Sequence, residues 1–368
     1  MPTPAMGTVL PGTADAVVVG GGTVGAWCAY FLRQAGLERV VLIEKGTLGS
    51  GASSRAAGVV RMQGGTPEAV QLGRWSRDFY RRQHDELGTD SGFVQQGYLL
   101  PCFTEADVTA ARARLAMQTG LGLPVRWLDA AELDAMNPTL APGQTRGGTF
   151  CDDDGYITPP RNVTAYTVAL IRSGVQFFEH VTFQGLLSSG GRATGVRTSA
   201  GLVRTSQVVL TGGPKLAAVG RRAGLRIPAG GVRHQVAVTE QHPDLDPGRV
   251  PMVFDLAAGL PLRRVWAATI DFTPDHLPII GPALNPDGGV MDGVTVASAG
   301  GAGMMWGPAV ARATADLLLT GRTGVADVSG LGLDRFDAAG RSKLAPDPVA
   351  LPFPGALDDG LPPEHAVP

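Results

Sequence analysis

Cysteine, positive charge and long apolar runs are all scarce in this sequence. Of 368 residues only 3 are Cys, and Cys28, Cys102 and Cys151 form no C-x-x-C pair. A structural zinc site and a disulfide framework are therefore not expected. The formal net charge is −2, so no broad basic surface is indicated and nucleic acid is not an expected partner. The longest apolar runs are the length of strands and are interrupted by Gly, too short to span a bilayer.

The start of the sequence is not expected to be a secretory signal. Residues 1–14 have no basic start and no sustained apolar run, which favours a cytoplasmic protein. Hydrophobic residues make up 44% of the chain and charged residues 17%, a composition typical of a globular enzyme with a substantial core. The length allows two domains, or one domain with a large insertion.

A βαβ unit is predicted near the start of the chain. Residues 15–19 form a short apolar run, residues 25–35 have apolar residues at helical spacing, and residues 40–43 form a second buried strand. Between the first strand and the helix, residues 20–25 read Gly-Gly-Gly-Thr-Val-Gly and satisfy G-x-G-x-x-G. This context predicts a dinucleotide-binding turn.

Each glycine of this turn has a physical role. Gly20 permits the tight turn, Gly22 lets a pyrophosphate approach the backbone, and Gly25 lets the helix pack closely on the strand. The helix N-terminus offers free N–H groups and the positive end of its dipole to phosphates. Glu44 follows the second strand, where its carboxylate can accept both ribose hydroxyls and disfavours a 2′-phosphate. The motif alone does not separate FAD from NAD.

Two further segments favour a flavin. Residues 48–58 are rich in Gly, Ala and Ser directly after Glu44, where small residues let the chain pass close to a flavin ring. Near the other end, residues 275–281 read Asp-His-Leu-Pro-Ile-Ile-Gly, and an apolar strand at 294–298 leads into a Gly-Gly-Ala-Gly turn at 300–303. A helix starting there would place a second N-terminus at an anionic reduced flavin.

These segments, in this order, resemble the D-amino-acid oxidase superfamily of FAD-dependent oxidoreductases. The sarcosine oxidase, glycine oxidase and dimethylglycine dehydrogenase branch is the most similar, because it shares the D-x-x-P-x-I-G pattern and the late Gly-Gly-x-Gly turn. Asp-Gly-Tyr at 154–156, Pro-Pro-Arg at 159–161 and Val-Val-Leu-Thr-Gly-Gly at 208–213 are also shared. The resemblance covers roughly residues 14–337 as ordered landmarks.

The resemblance implies an α/β fold with a discontinuous Rossmann-type FAD-binding domain and an α+β substrate domain built on an antiparallel sheet. It places the FAD domain at 14–80, 150–225 and 272–337, the substrate domain at 81–149 and 226–271, and a Pro-rich tail at 338–368. The cofactor-binding residues that it implies are Gly20, Gly22, Thr23, Val24, Gly25, Glu44, Lys45, Ser53, Ser54, Arg55, Ala57, Gly58, Val181, Gly212, Gly301, Ala302, Gly303, Met304 and Met305.

The sequence departs from relatives that attach FAD covalently. Arg55 stands where one branch has a linking His, and no His occurs before His84. Residues 264–267 read Arg-Val-Trp-Ala and lack the Cys of monomeric sarcosine oxidase. We therefore expect non-covalent FAD. Arg61 matches the Arg of the sarcosine oxidase carboxylate clamp, whereas the clamp Lys is replaced by Met304 or Met305, which predicts a more apolar pocket.

Three residues are candidates for substrate chemistry, each with a structural alternative. Arg61 is a candidate carboxylate anchor, or else pairs with a phosphate or an Asp. His234 lies on a strand that could face the pocket, or is a satisfied core or edge His. His276 lies within the late motif beside Asp275, where it could lie near the flavin and act in catalysis, or else has no catalytic role. The run at 151–154, Cys-Asp-Asp-Asp, lacks the alternate spacing of a calcium loop, so we expect a solvated turn and no metal site.

The resulting prediction is an FAD-dependent oxidoreductase that oxidises the C–N bond of an amino acid or N-methyl amino acid by hydride transfer to flavin N5. One alternative is a 2-hydroxy-acid oxidase or dehydrogenase of the same fold, and another is a flavin-bearing subunit of a hetero-oligomeric dehydrogenase. A purified protein without flavin colour would favour an NAD enzyme. The sequence does not indicate whether oxygen or another molecule is the electron acceptor, or whether the protein forms an oligomer.

Further secondary structure follows from periodicity and from Gly and Pro positions. Helices are predicted at 66–87, 105–119, 129–136, 158–172 and 308–319. Strands are predicted at 176–178, 195–197, 207–210, 232–239, 264–270 and 294–298. The Pro-rich stretch after Arg341 predicts a loose tail.

Overall fold

The computed structural model describes residues 9–137, 140, 142–239, 250–253 and 262–349. Its helices are α1 (Thr23–Gln34), α2 (Pro67–Leu87), α3 (Glu105–Gly120), α4 (Ala130–Met136), α5 (Pro159–Ser173), α6 (Leu216–Arg222) and α7 (Gly303–Thr320). Within the described ranges, no helix is both long and apolar enough to cross a membrane.

Every predicted strand is present, and strands that were not predicted lie between residues 59 and 156 and at 183–189, 201–204, 252–253 and 279–284. They are β1 (Ala16–Val19), β2 (Val40–Ile43), β3 (Val59–Val60), β4 (Val94–Gln95), β5 (Tyr98–Pro101), β6 (Val125–Leu128), β7 (Gly148–Cys151), β8 (Gly155–Tyr156), β9 (Gln176–Phe178), β10 (Phe183–Ser189), β11 (Arg192–Thr198), β12 (Gly201–Arg204), β13 (Val208–Leu210), β14 (Gly230–Thr239), β15 (Met252–Val253), β16 (Leu262–Phe272), β17 (Ile279–Leu284) and β18 (Val290–Ser298).

The largest sheet has parallel strands at its centre. Its order is β10-β11-β18-β13-β1-β2-β9, and β1, β2, β9, β13 and β18 are joined by parallel pairings. Every residue of β1 and β2 is buried, which explains why these strands are uniformly apolar. Strand β1 has β2 on one side and β13 on the other, so the chain continues in opposite directions across the sheet from β1. The carboxyl end of β1 therefore lies at a topological switch point, where open α/β sheets bind ligands.

Three smaller sheets complete the described part of the fold. A sheet of order β15-β5-β7-β6 combines three strands from the region between α2 and α5 of the chain with β15, which comes after β14. In addition, β14 pairs with β16 in an antiparallel ribbon, and β3-β8-β4 forms a short third sheet. The predicted fold class, a parallel-rich α/β sheet with separate antiparallel sheets, is confirmed by this arrangement.

The predicted helices at 66–87, 105–119, 129–136 and 158–172 are confirmed, but the prediction for the last helix was wrong at its start. Helix α7 begins at Gly303, not at Pro308, and Pro308 lies inside it. Proline has no N–H to donate to the carbonyl four residues earlier, which is that of Met304. The Met304 carbonyl instead accepts a 2.8 Å hydrogen bond from the Tyr80 hydroxyl. A residue of α2 thus makes Pro308 tolerable within the helix.

The prediction of a loose tail after Arg341 was wrong for residues 342–349. Ser342 Oγ donates a 2.6 Å hydrogen bond to Asp275 Oδ2, and Val349 is buried beside Tyr98 and Leu100. Pro and Gly reduce helix and strand formation, but they do not prevent a segment from docking through side chains and backbone groups. We call residues 342–349 the C-terminal strap. The rest of the predicted tail, 350–368, lies outside the described residues.

Candidate active site

The glycine turn between β1 and α1 is shaped by contacts that exclude side chains. Gly20 has φ +111°, a conformation that favours glycine. A Cβ on Gly25 would lie 1.9 Å from the Gly20 carbonyl oxygen and 2.4 Å from Thr211 Oγ1. A Cβ on Gly22 would meet only Ser53 Oγ, at 3.2 Å. Gly20 and Gly25 are thus required by the fold, while Gly22 leaves the surface of the turn open.

The small-residue loop after β2 packs against the start of α1. The Thr23 backbone N–H donates a 2.9 Å hydrogen bond to Ser53 Oγ, and Asn162 Nδ2 donates to Thr23 Oγ1 at 3.2 Å. Arg55 is exposed, and its guanidinium donates within the loop to the carbonyls of Ser50 and Gly51. The loop therefore lies beside the helix N-terminus, where phosphates are bound in this type of fold.

Glu44 lies at the end of β2 with both carboxylate oxygens engaged by backbone. Its Oε2 accepts from Gly21 N at 2.7 Å and its Oε1 from Gly46 N at 2.8 Å. Its own carbonyl accepts from Val181 N at 2.8 Å. The acid predicted to hold a ribose is therefore fixed against the glycine turn, and Val181 lies beside it.

A second helix N-terminus reaches the same region. Gly300 and Gly301 have φ +58° and +99° and form the sharp turn between β18 and α7. A Cβ on Gly300 would lie 2.7 Å from the Leu277 carbonyl oxygen, so the late motif packs directly on this turn. The first residues of α7 follow, with their free N–H groups and positive dipole end.

One cavity of about 1240 Å³ joins these elements. This volume exceeds that of an ordinary small-molecule pocket and can hold a dinucleotide together with a substrate. Most predicted cofactor residues line it, namely Gly20, Gly22, Thr23, Val24, Glu44, Lys45, Ser53, Arg55, Ala57, Gly58, Gly212, Gly301, Ala302, Gly303, Met304 and Met305. Gly25, Ser54 and Val181 are not among its lining residues.

Arg61 lies on the wall of this cavity and is 4% exposed. Its Nη2 donates a 2.6 Å hydrogen bond to the Val349 carbonyl oxygen, and its guanidinium lies 5.6 Å from the centre of the Tyr98 ring. The preceding strand β3 and the neighbouring β5 position these groups. A planar, permanently charged guanidinium in such a place can bind a carboxylate.

His234 and His276 both line the cavity and flank Phe272. The His234 ring stacks on Phe272 with centroids 5.5 Å apart, and the His276 ring meets Phe272 edge-on at 5.6 Å. Burial lowers the pKa of both imidazoles, an effect opposed at His276 by the Asp275 and Asp347 carboxylates. A lowered pKa favours the neutral form of each imidazole, which can accept as well as donate a hydrogen bond.

The solvated turn predicted at 151–154 was wrong for Asp154, which is 0% exposed. Its Oδ1 accepts from Met62 N at 2.6 Å and its Oδ2 from Gln63 Nε2 at 3.0 Å. Burial raises the pKa of this carboxyl to about 7. Asp154 thus fixes the two residues that follow Arg61. The run of three acids in the sequence does not indicate which of them is buried.

Several further cavity residues were missed by sequence reasoning. Asp271 is buried, its Oδ2 accepts from Ser298 Oγ at 2.7 Å, and burial raises the pKa of its carboxyl. Asp347 and Val349 reach the cavity from the C-terminal strap. Asp271 directly follows the predicted strand at 264–270, which is a weak indication that it is near the cavity. No local sequence pattern indicates that the strap contacts Arg61.

Comparison with known families decides the identity of this fold. The model of the FAD dependent oxidoreductase family (DAO) matches residues 15–260, more than half of the chain. The chain belongs to this family. Its cofactor is accordingly FAD, as the sequence predicted. The two helix N-termini, the glycine turn and the size of the cavity fit that cofactor.

Relatives of this family member include enzymes that act on nitrogen compounds. It is 30% identical over 271 residues to 4-methylaminobutanoate oxidase (formaldehyde-forming) of Paenarthrobacter nicotinovorans, covering 73% of this chain and 33% of that one. It is 31% identical over 221 residues to glycine oxidase of Geobacillus kaustophilus, covering 58% of each. The chain therefore spans about a third to three fifths of the length of these relatives.

Solved structures of two enzymes share the fold over most of the chain. L-proline dehydrogenase from P. horikoshii superposes with a TM-score of 0.79 at 24% identity, covering 88% of this chain and 97% of that one. Glycine oxidase from Geobacillus kaustophilus superposes with a TM-score of 0.74 at 25% identity, covering 89% and 100%.

Proposed function

We propose that the protein oxidises the C–N bond of an amino acid or an N-methyl amino acid with FAD as the hydride acceptor. The observation that supports this most is the composition of the cavity. Its lining includes the glycine turn and the N-termini of α1 and α7, and it also includes the buried Arg61 together with His234 and His276, whose pKa values are lowered by burial. Two relatives support it further, because 4-methylaminobutanoate and glycine, which their names give as substrates, each contain an amine and a carboxylate.

The predicted cofactor residues provide the binding groups that FAD needs. Gly20, Gly22 and the N-terminus of α1 would hold the pyrophosphate, and Glu44 would hold the adenosine ribose. The N-terminus of α7 would lie at the pyrimidine end of the flavin and stabilise negative charge there. When bound, FAD supplies the hydride acceptor. Residues 14–80, 150–225 and 272–337 would form the domain that binds it.

FAD would be held without a covalent bond. The lining of the cavity includes His234 and His276 but no Cys among the described residues, and Arg55 stands on the loop where a linking His was sought. Acid precipitation should release all of the yellow flavin into the supernatant. Flavin that stays with the precipitated protein would contradict this proposal.

The protein side of the reaction consists of binding and orientation. Arg61 would anchor the substrate carboxylate by charge-assisted hydrogen bonds. The neutral imidazoles and the Phe272 ring would line the other side of the substrate, and the apolar Met304 and Met305 would exclude water. Holding the substrate α-carbon in one position lowers the barrier by removing the entropy of a random encounter.

A flavin-bearing subunit of a larger complex is the second candidate function. The chain is 26% identical over 364 residues to hydrogen cyanide synthase subunit HcnC of Pseudomonas protegens, covering 85% of that protein. It also matches sarcosine oxidase subunit beta of an Arthrobacter species. Low turnover of the isolated chain, restored by a partner protein, would support this candidate.

The deciding experiment is anaerobic reduction of the bound flavin by a panel of substrates. Amino acids, N-methyl amino acids and 2-hydroxy acids are each mixed with the FAD-loaded chain, and the loss of visible flavin absorbance is recorded. Bleaching by amines supports the proposal, and detection of ammonia or methylamine identifies the bond broken. Bleaching by hydroxy acids alone would reject C–N oxidation. Repeating the panel in air distinguishes an oxidase from a dehydrogenase.

Cytoplasmic location and a possible oligomer belong to the same proposal. All three cysteines are buried and free, which fits a reducing compartment. Cell fractionation and light scattering would test the two points separately.

A further inference from the structure

The C-terminal strap forms part of the cavity wall on the side of Arg61. It is fixed to the loop before β17, where Ser342 Oγ donates to Asp275 Oδ2 at 2.6 Å and Asp347 N donates to the Asp275 carbonyl at 3.1 Å. Its end is held by the bond from Arg61 to Val349 and by apolar contact with Tyr98. The strap is therefore a fixed wall of the cavity.

The position of Asp347 is set by close backbone packing. A Cβ on Gly65 would lie 2.1 Å from Asp347 Oδ1 and 2.5 Å from Pro348 Cδ. Any side chain at residue 65 would thus displace the strap. The glycine here is required for space, since it lies where another part of the chain passes directly over it.

Asp347 brings an incompletely bonded carboxylate to the cavity. The residue is 4% exposed and lines the cavity. Its Oδ1 accepts from Val349 N at 3.0 Å, but no described group donates to its Oδ2. Burial raises the pKa of this carboxyl, while backbone hydrogen bonds from Val349 and Gly65 and the positive charge of Arg61 oppose the rise. A buried carboxyl oxygen without a donor is costly, and no described residue donates to Oδ2.

His276 offers a second unmatched atom on the same wall. It adopts φ +59°, a left-handed conformation that is uncommon for residues other than glycine. Its Nδ1 has no hydrogen-bond partner among the described residues. Asp347 and His276 are close enough for each charge to influence the pKa of the other group. Asp347 Oδ2 and His276 Nδ1 are thus two buried atoms without a described partner in one cavity, which Arg61 also lines.

We propose that Asp347 is a specificity-determining residue that binds the amino group of the substrate, with His276 Nδ1 as the second acceptor. This inference rests on the proposed function, and it identifies the groups by which the site would distinguish amines from other substrates. The charged form of a primary amine or of an N-monomethyl amine has at least two N–H donors, one for Asp347 Oδ2 and one for a neutral imidazole that has its proton on Nε2. Arg61 alongside would take the carboxylate.

This arrangement discriminates against oxygen analogues. A hydroxyl has one donor and no charge, so it leaves one acceptor unmatched and the carboxylate of Asp347 uncompensated. Sites built to hydrogen-bond a substrate group reject analogues that lack it, because buried polar atoms are then left unpaired. Amino acids should therefore bind better than the matching hydroxy or alkoxy acids, and the preference should depend on Asp347.

The test compares dissociation constants for three matched pairs on the FAD-loaded chain. The pairs are N-methylglycine and methoxyacetate, L-alanine and L-lactate, and 4-aminobutanoate and 4-hydroxybutanoate. Binding is followed by the perturbation of the flavin spectrum under anaerobic conditions and by the melting temperature. The wild-type chain should prefer the amine in at least one pair, and Asp347→Asn should reduce that preference by at least about tenfold.

Two further variants separate recognition from structure. Asp334→Asn removes an exposed carboxylate near the strap and should leave the preference unchanged. Gly65→Ala shifts the strap without changing any charge and should lower the same preference as Asp347→Asn. FAD content and the melting temperature of Asp347→Asn without added ligand serve as folding controls.

The outcomes separate this inference from the proposed function. An amine preference that survives in Asp347→Asn, or no preference in any pair, overturns the role of Asp347. Amine binding with the expected preference, but no flavin reduction by any amine, would uphold the subsite and reject the proposed oxidation. Loss of the preference in Asp347→Asn, together with reduction by the same amine in the wild-type chain, supports both.

Discussion

Arg61 Nη2 and the Val349 carbonyl oxygen are joined by a 2.6 Å hydrogen bond between residues 288 positions apart in sequence. The bond connects the chain after β3 to the end of the C-terminal strap. It occupies one N–H of a guanidinium that has five donors. Arg61 therefore fixes the end of the strap, and the carboxylate anchor proposed for it would bind the same guanidinium.

Replacement of this arginine by lysine should separate charge from geometry. Arg61→Lys keeps the positive charge but loses the planar fork, so KM for a carboxylated substrate should rise by about tenfold or more, with FAD content unchanged. Steady-state kinetics and the ratio of flavin to protein absorbance measure these quantities. Arg197→Lys, at an exposed site on β11, is the control. An unchanged KM in Arg61→Lys would exclude this anchor.

The two backbone bonds to Glu44 lead to a prediction about cofactor retention. In Glu44→Gln one carboxylate oxygen becomes an NH2 group, which must face the N–H of Gly21 or Gly46, both donors. FAD affinity should fall by about tenfold or more, because the ribose acceptor and the fixed turn are both affected. Flavin content after gel filtration gives the measurement. Glu38→Gln, at an exposed position, should retain wild-type flavin.

Two glycines of the same turn should respond differently to one added methyl group. Gly25→Ala places a Cβ 1.9 Å from the Gly20 carbonyl oxygen, so the chain should lose stability and be recovered in low soluble yield. Gly22→Ala has a nearest contact of 3.2 Å and should fold, but should bind FAD weakly since the methyl group points where the pyrophosphate approaches. Circular dichroism and flavin content distinguish the two effects. Equal behaviour of both variants would contradict the assigned roles.

Asp154 gives a prediction for the dependence of stability on pH. Its folded-state pKa is raised to about 7, above the value of about 3.9 for an unfolded chain. The folded state therefore binds a proton that the unfolded state lacks between these values. The resulting stabilisation is present below about pH 4 and is lost as the pH rises through about 7.

The non-titrating variant Asp154→Asn isolates this contribution. The unfolding free energy of the wild-type chain, minus that of the variant, should fall between about pH 5 and about pH 8. Urea titrations at both pH values provide the measurement. Asp287→Asn, in an exposed turn, should show no such change. A difference that stays constant with pH would mean that Asp154 is ionised in the folded chain throughout.

Local patterns were sufficient for the parts of the fold whose interactions are close in sequence. The glycine turn, α1 and the buried strands β1 and β2 followed from spacing and hydrophobic periodicity, because their conformations are set within a few residues. The start of α7 was misplaced since it depends on the Tyr80 hydroxyl, which replaces the N–H that Pro308 lacks. Tyr80 lies in α2 and is 224 positions before Met304, whose carbonyl it contacts.

The sequence by itself indicated the family and the cofactor, and it predicted most of its candidate cofactor residues among those that line the cavity, because a dinucleotide-binding turn requires particular small residues at particular positions. The tertiary structure decided which groups lie together around Arg61. Arg61 meets Val349, and Asp154 is buried beneath the chain that holds Arg61. These contacts arise when distant segments pack together, and burial then sets their pKa values and hydrogen bonds. No local pattern of residues contains that information.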